Sequence, residues 1–273
     1  MKKSLMDRPI GVMDSGVGGM TVVKEIIRQL PHEKILYFGD ISRCPYGEKS
    51  QEDVRDYTIQ IADYLVEKGI KMLVIACNTA TAAALEILKE SLDIPVLGVI
   101  QPGARSAIQN SRNGKVLVLA TSGTVNSNAY SDAVKGINSG FSVSSLACPK
   151  FVPLVEQLRY KDDVVSGIII HQSLKNQRHN EADTIILGCT HYPLLSAGIR
   201  NYFNGEKKVI DSGYETARET STILNYNNLL RTSAENIVHT ILINGDSSRF
   251  EYVLRDWLPG LHYQIQEIEL KVE

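Results

Sequence analysis

The sequence predicts an α/β fold of two similar domains, each a mainly parallel sheet flanked by helices, related by a pseudo-twofold axis with the active site between them. Three observations carry this reading. Short runs of Val, Ile and Leu alternate with helical patterns along the 273 residues, the rhythm of a parallel sheet covered on both faces. The order of elements then repeats in the second half. Within that repeat, Lys71-Met-Leu-Val-Ile-Ala-Cys77-Asn-Thr79 matches Asp183-Thr-Ile-Ile-Leu-Gly-Cys189-Thr-His191. Each is a buried-type strand that ends in Cys and leads through polar cap residues into a helix.

In the first half, strands are expected at 9–13, 34–38, 71–76 and 94–99, with helices at 19–30, 51–68 and 79–91. The stretch from Gln51 to Lys68 places Val54, Tyr57, Ile61, Tyr64 and Leu65 on one side of a helix. In the second half, strands are expected at 115–120, 142–147, 183–188 and 207–211, with helices at 124–137, 161–176 and 193–203. Cys77 and Cys189 lie 112 positions apart (189 − 77), and the strands Ile94-Pro-Val-Leu-Gly98 and Lys207-Lys-Val-Ile-Asp211 follow them at a similar offset. Beyond these, 214–230 and 233–242 have helical patterning, and the tail to Glu273 is expected to pack back on the first domain. The division is therefore residues 1–100 plus 212–273 for a discontinuous first domain, and 101–211 for a second one inserted in it.

Composition narrows the function. Hydrophobic residues make up 43% and charged residues 22%, and 29 Lys+Arg stand against 31 Asp+Glu. Such a balance provides no broad basic field for nucleic acid or an anionic membrane. No stretch is long and apolar enough to span a bilayer, and no start resembles a secretion signal. A cytoplasmic protein is expected, with its four cysteines (Cys44, Cys77, Cys148, Cys189) as free thiols.

The cysteine pair carries the chemistry. Ligands of open parallel sheets bind at the carboxyl ends of strands, where both Cys77 and Cys189 are expected. Two facing domains would put one thiol on each wall of a cleft. That arrangement suits inversion of a carbon bearing an acidic hydrogen: one group removes the proton, and the other returns it to the opposite face. A thiol, with an ordinary pKa of about 8.5, can be tuned toward neutrality at a helix N-terminus. The task needs one thiolate and one thiol.

Around the pair stand further candidates. Ile10-Gly-Val-Met-Asp14 runs into the glycine-rich turn Ser15-Gly-Val-Gly-Gly19, which would let backbone N–H groups approach an anion. It is a poor dinucleotide fingerprint, because Thr21 stands where the third glycine would fall. Asp14 could orient a catalytic group or simply cap the turn. Tyr46 and Gly47 lie in a Pro- and Gly-containing loop and offer a hydroxyl and an N–H to a polar ligand. Glu156 is the polar candidate in Cys148-Pro-Lys-Phe-Val-Pro-Leu-Val-Glu156, the stretch equivalent to that loop in the second half. His191, two residues after Cys189, can serve as a proton partner. Cys189-x-His191 is too small a fragment for a structural zinc site.

These residues together resemble the glutamate racemases of the aspartate/glutamate racemase superfamily. The resemblance rests on Asp14-Ser-Gly-Val-Gly-Gly19, Gly39-Asp40 with Pro45-Tyr-Gly47, Ala76-Cys-Asn-Thr79, Phe151-Val-Pro-Leu-Val-Glu156 and Gly188-Cys-Thr-His-Tyr-Pro-Leu-Leu195. It covers about residues 8–212, and the C-terminal stretch adds no motif. It implies that Asp14, Ser15, Tyr46, Gly47, Asn78, Thr79, Thr121, Thr124, Thr190 and His191 receive L- or D-glutamate. It further implies that Cys77 takes the proton from D-glutamate, assisted by Asp14, and Cys189 from L-glutamate, assisted by Glu156 and His191. The family works without pyridoxal phosphate or metal, supplies D-glutamate for peptidoglycan, and has many homodimeric members.

One departure is Ala120-Thr121, where the family commonly has Gly-Thr. Cys44 and Cys148 lie in loops near the expected cleft and are read as bystanders. Racemisation of aspartate or a hydantoin, and a non-catalytic amino-acid-binding module, remain open alternatives. Thr190-His191 and Asp14-Ser15 favour glutamate.

Overall fold

The chain, described by a computed structural model over residues 4–233 and 237–270, builds two sheets from ten strands. They are β1 (Ile10–Asp14), β2 (Ile35–Gly39), β3 (Met72–Ile75), β4 (Val96–Gly98), β5 (Lys115–Ala120), β6 (Ser142–Ala147), β7 (Thr184–Gly188), β8 (Lys208–Asp211), β9 (His239–Asn244) and β10 (Tyr263–Ile268). The first sheet has the order β10-β9-β2-β1-β3-β4 and the second β6-β5-β7-β8. Every pairing in both is parallel. The segment β2-β1-β3-β4 has the same order as β6-β5-β7-β8, so the repeat read from the sequence is a repeat of topology. The tail strands β9 and β10 lengthen the first sheet beyond β2.

Helices cover the sheets: α1 (Met20–Gln29), α2 (Gln51–Glu67), α3 (Asn78–Ser91), α4 (Ile100–Asn110), α5 (Ser122–Asn126), α6 (Ala129–Ile137), α7 (Phe151–Glu156), α8 (Asp163–Leu174), α9 (Ser196–Tyr202), α10 (Ser212–Tyr226) and α11 (Ser248–Trp257). Their starts follow from capping chemistry. Ser50 Oγ accepts from the Asp53 N–H at 3.0 Å to open α2, and Asp211 accepts from the Gly213 N–H at 2.8 Å to open α10.

Five elements differ from expectation. The helix expected at 124–137 is two helices, because Asn128 takes a left-handed conformation (φ 57°) between α5 and α6, a region Asn tolerates better than most residues. The helix expected at 193–203 begins as a tight 3-10 turn, Tyr192–Leu195, before α9. Helices α4 and α7 were not among the expected elements, and each contains a proline. Pro102 and Pro153 fall in first turns, where the missing N–H has no partner to lose. The helix expected at 233–242 is corrected: 234–236 lie outside the described residues, and β9 begins at His239.

α4 leads from the first sheet to the second and α10 leads back, with Arg105 on α4 paired to Glu219 on α10. The largest apolar cluster joins both sheets, with Ile10 and Val12 of β1 in the same cluster as Leu117, Leu119, Ile185 and Leu187 of β5 and β7. The two sheets thus share one apolar core.

Candidate active site

The candidate residues emerge from strand ends. Asp14 closes β1 in register with Gly39, and Cys77 lies two residues beyond Ile75, which pairs with Met13. In the second sheet Ala120 pairs with Gly188, which puts Thr121 and Cys189 side by side in sequence position just beyond the ladder. One narrow cavity, about 330 Å³ of atom-free space with its mouth included, is lined by Ser15, Tyr46, Gly47, Cys77, Asn78, Thr79 and Thr121 together with Cys189, Thr190 and His191. Both cysteines are therefore on its walls.

Three sequence candidates stand just behind that lining. Asp14 accepts from the Gly16 N–H at 3.0 Å and from the Thr190 hydroxyl at 3.4 Å. Thr124 joins Thr79 and Thr121 in a triangle of hydroxyls separated by 3.0–3.1 Å. Glu156 Oε1 lies 2.8 Å from His191 Nε2 and opens on an adjoining apolar cleft with Arg249 at its edge.

The two sulfurs have different charged neighbours. Cys77 Sγ accepts from the Ala80 N–H at 3.5 Å as the N-cap of α3, so the expected helix terminus is present. The expected lowering of its pKa is not. Burial, reinforced by the nearby Asp14 carboxylate, pushes the Cys77 thiol up to about 12, because a desolvated anion outweighs one N–H donor. Burial likewise raises Asp14 to about 6. On the other wall His191 Nδ1 faces Cys189 Sγ at 3.8 Å. Burial opposes a charge on His191, but hydrogen bonds to Cys189 and Glu156 outweigh it and raise its pKa to about 10. Glu156 is lowered despite burial, by its bond to His191 and the charges of His191 and Arg249. Cys189 thus faces an imidazolium, whereas Cys77 faces a carboxylate.

Other expectations change in detail. The Tyr46 hydroxyl donates to Asp40, leaving its ring and backbone to the cavity. The glycine-rich turn also receives the second half of the chain. A Cβ on Gly18 would lie 2.3 Å from Thr190 Oγ1 and 2.6 Å from the His191 ring, so only glycine lets the second half approach. Thr21 Oγ1 ties the same contact by donating to the Thr190 carbonyl at 3.0 Å. Cys44 also lines the cavity, its pKa raised by burial and then by Glu156 and Asp14. Burial raises Cys148 to about 12.

Sequence reading missed Tyr130 and Tyr37. Tyr130 on α6 donates to Asn78 Oδ1 at 2.7 Å, which leaves Asn78 Nδ2 a buried donor without a protein acceptor. Such an amide is oriented to receive a carboxylate. Tyr37 donates to the Gly16 carbonyl at 2.7 Å and holds the turn after Asp14. Neither tyrosine lies in a motif, and its role follows only from the packing of distant strands and helices. Among the described residues, no group of three or more His, Cys, Asp or Glu side chains is placed to hold a metal ion, and no helix is long and apolar enough to cross a membrane.

Comparison with known proteins gives the same direction. Residues 10–220 match the family model for Asp/Glu/Hydantoin racemase. The glutamate racemase of Staphylococcus carnosus (strain TM300) is 56% identical over 265 residues, 97% of this chain and all of that protein. The crystal structure of glutamate racemase isoform RacE1 from Bacillus anthracis superposes with a TM-score of 0.93 at 43% identity, covering 97% of this chain and 99% of the other. A Francisella tularensis glutamate racemase solved with D-glutamate superposes with a TM-score of 0.90 at 33% identity, covering 97% and 99%.

Proposed function

The chain belongs to the Asp/Glu/hydantoin racemase family, and from that premise we propose that it is an isomerase interconverting L- and D-glutamate by proton transfer between two cysteines, without a cofactor. The single observation that carries this reading is the shared cavity. Its opposed halves contribute Cys77 beside Asp14-Ser15 and Cys189 beside Thr190-His191.

The unequal surroundings suggest a resting state. Cys77 holds its proton, and the scheme takes the sulfur that faces the His191 imidazolium, Cys189, as the base that starts from L-glutamate. L-glutamate gives its α-proton to Cys189, whose sulfur gains S–H as the Cα–H bond breaks. Cys77 then delivers its own proton to the opposite face and becomes the thiolate. D-glutamate leaves, and the reverse passage or exchange with solvent restores the first state. Substrate carboxylates are received by the Thr79–Thr121–Thr124 hydroxyls, Ser15, Thr190 and the Asn78 amide. These donors are neutral, so they bind the carboxylates without adding a second cation to the His191 imidazolium already beside Cys189. Where negative charge grows on the α-carboxylate, each preorganised donor is worth about 3 kcal/mol, and the positioned thiols add about 10²–10⁴-fold.

The same reading takes residues 1–100 with 212–273 and residues 101–211 as two bodies that part to admit substrate, with α4 and α10 as the connections. It makes the working form a cytoplasmic homodimer that supplies D-glutamate for peptidoglycan. Light scattering on the purified protein tests the dimer.

The activity is tested by incubating the protein with L-glutamate in heavy water and no added cofactor. Inversion accompanied by α-deuteration is expected, with far slower turnover of D-aspartate. Unchanged, unlabelled L-glutamate would overturn the proposal.

A further inference from the structure

Behind the cavity, the polar cluster of the first sheet centres on Asp40, which is fully buried. Asp40 follows β2, and its N–H donates to the Asp14 carbonyl at 3.1 Å, so its backbone is fixed to the strand end that carries Asp14. Its carboxylate collects three side-chain donors. Oδ2 accepts from the Tyr46 hydroxyl and from Arg43 Nε, the latter at 2.7 Å. Oδ1 accepts from the Asn244 amide at 2.7 Å. Asn244 is the last residue of β9 and is buried. Its amide also reaches Ser42 Oγ at 2.8 Å, and its own Oδ1 accepts from the Leu270 N–H at 3.4 Å.

The loop held in this way matters to the cavity. Tyr46 and Gly47 are part of its lining, and Gly47 lies against the other half with no slack. A Cβ there would come within 2.6 Å of Thr121 Cβ. A shift of the loop therefore moves Thr121 and the hydroxyl triangle it shares with Thr79 and Thr124. Arg43 has anchors of its own, a 2.7 Å bond to Gln60 and a position 4.2 Å over the Tyr57 ring. Asn244 is the side chain that holds Asp40 Oδ1. Without it, that buried oxygen loses its donor and the carboxylate is free to turn, taking the Tyr46 hydroxyl with it. Hydrogen bonds to a buried charge are among the stronger ones a protein makes.

We propose that Asn244 is a positioning residue for substrate binding: through Asp40 and Tyr46 it fixes the Tyr46–Gly47 loop against Thr121, so β9 sets affinity for glutamate. The proposal rests on the reading of the protein as a glutamate racemase.

The test is steady-state kinetics in both directions for wild type, Asn244→Leu, Tyr46→Phe and the double variant. Asn244→Leu is expected to raise KM by about tenfold, the effect of one such contact, with kcat held within about threefold. The double variant should be no worse than the poorer single one, because both changes cut one relay. A folded Asn244→Leu protein with unchanged KM, a loss confined to kcat, or additive effects would overturn the proposal. Should Asn244→Leu fail to fold, Asn244→Ser is read by the same KM criterion. An active wild type with an unaffected variant sinks this inference alone, whereas a wild type that does not turn over glutamate brings down the underlying function as well.

Discussion

His191 stands between two groups of opposite need: its Nε2 is 2.8 Å from Glu156 Oε1, and its Nδ1 faces the Cys189 sulfur at 3.8 Å. Hydrogen bonds to Cys189 and then to Glu156 outweigh the burial that opposes a charge on the ring, so a cation stands beside the sulfur. With a pKa of about 10, His191 stays protonated through the neutral range. Glu156→Gln removes a partner that raises this value, so the imidazolium is lost at lower pH. The alkaline limb of the kcat/KM profile is expected to move down in pH, with a loss of about tenfold at pH 8. The two enantiomers have equal free energy, so kcat/KM must fall equally in both directions. An alkaline limb that does not move would remove Glu156 from the proton path.

The contrast between the two walls separates the cysteine variants. Cys77→Ser and Cys189→Ser should each lower racemisation by about 10³-fold, because either change leaves one face without its proton partner. Cys77→Ser retains the sulfur beside His191 and should still exchange the α-proton of L-glutamate with heavy water, without inversion. Cys189→Ser should exchange D-glutamate more slowly, because Cys77 must first give up a proton held at about 12. Proton NMR of each enantiomer with each variant provides the four rates. Near-normal racemisation by either variant defeats the two-thiol scheme.

Asp14 illustrates a site residue that weakens the fold. Burial raises its pKa from 3.8 to about 6, above its unfolded value. As pH rises from about 4 to about 6, the unfolded chain releases this proton first and stability falls; above that window the cost is constant. Asp14→Asn should therefore stabilise the protein by about 3 kcal/mol at pH 8 and by only about 1 kcal/mol at pH 4.5. Activity should fall by at least about tenfold. Denaturant melts at the two pH values check the difference. An equal gain at both would mean that the carboxylate is not the source.

Strand ends, and the polar residues fixed to them, were legible because a buried parallel strand reads as a short apolar run and its end as an abrupt change to polar residues. Cys77, Cys189, Asp14 and Thr121 stand at such changes. The state of the thiols was not legible. Helix N-terminal placement argued for a lowered Cys77 pKa, but burial outweighs it, and burial is set by contacts from distant parts of the chain. Tyr130, Asn244 and Arg249 were equally hidden. Each acts on a partner more than fifty positions away, Tyr130 on Asn78, Asn244 on Asp40 and Arg249 on the Glu156 carbonyl, and no local pattern marks such a contact. The tail was hardest, since β10 carries exposed residues on one face and lacks the continuous apolar signature of β1 or β7.

The join between that tail and the first sheet should be sensitive to acid. His239 opens β9, and its Nδ1 accepts the Ile35 N–H of the neighbouring β2 at 3.2 Å, which requires the neutral ring with its proton on Nε2. Burial, with a smaller contribution from the charge of His262, lowers its pKa from 6.5 to about 4. The folded value lies below the unfolded one, so as pH falls from 6.5 toward 4 the unfolded chain takes up a proton that the native one refuses. Stability is complete above about pH 6.5 and is lost through that window. In His239→Asn, the side-chain oxygen can take the place of Nδ1 as acceptor without titrating. The variant should match wild type at pH 7.5 and exceed it by about 2 kcal/mol at pH 4.5. Urea midpoints measured across this range decide the point: superimposable acid limbs would show that the strand joint does not depend on a neutral His239.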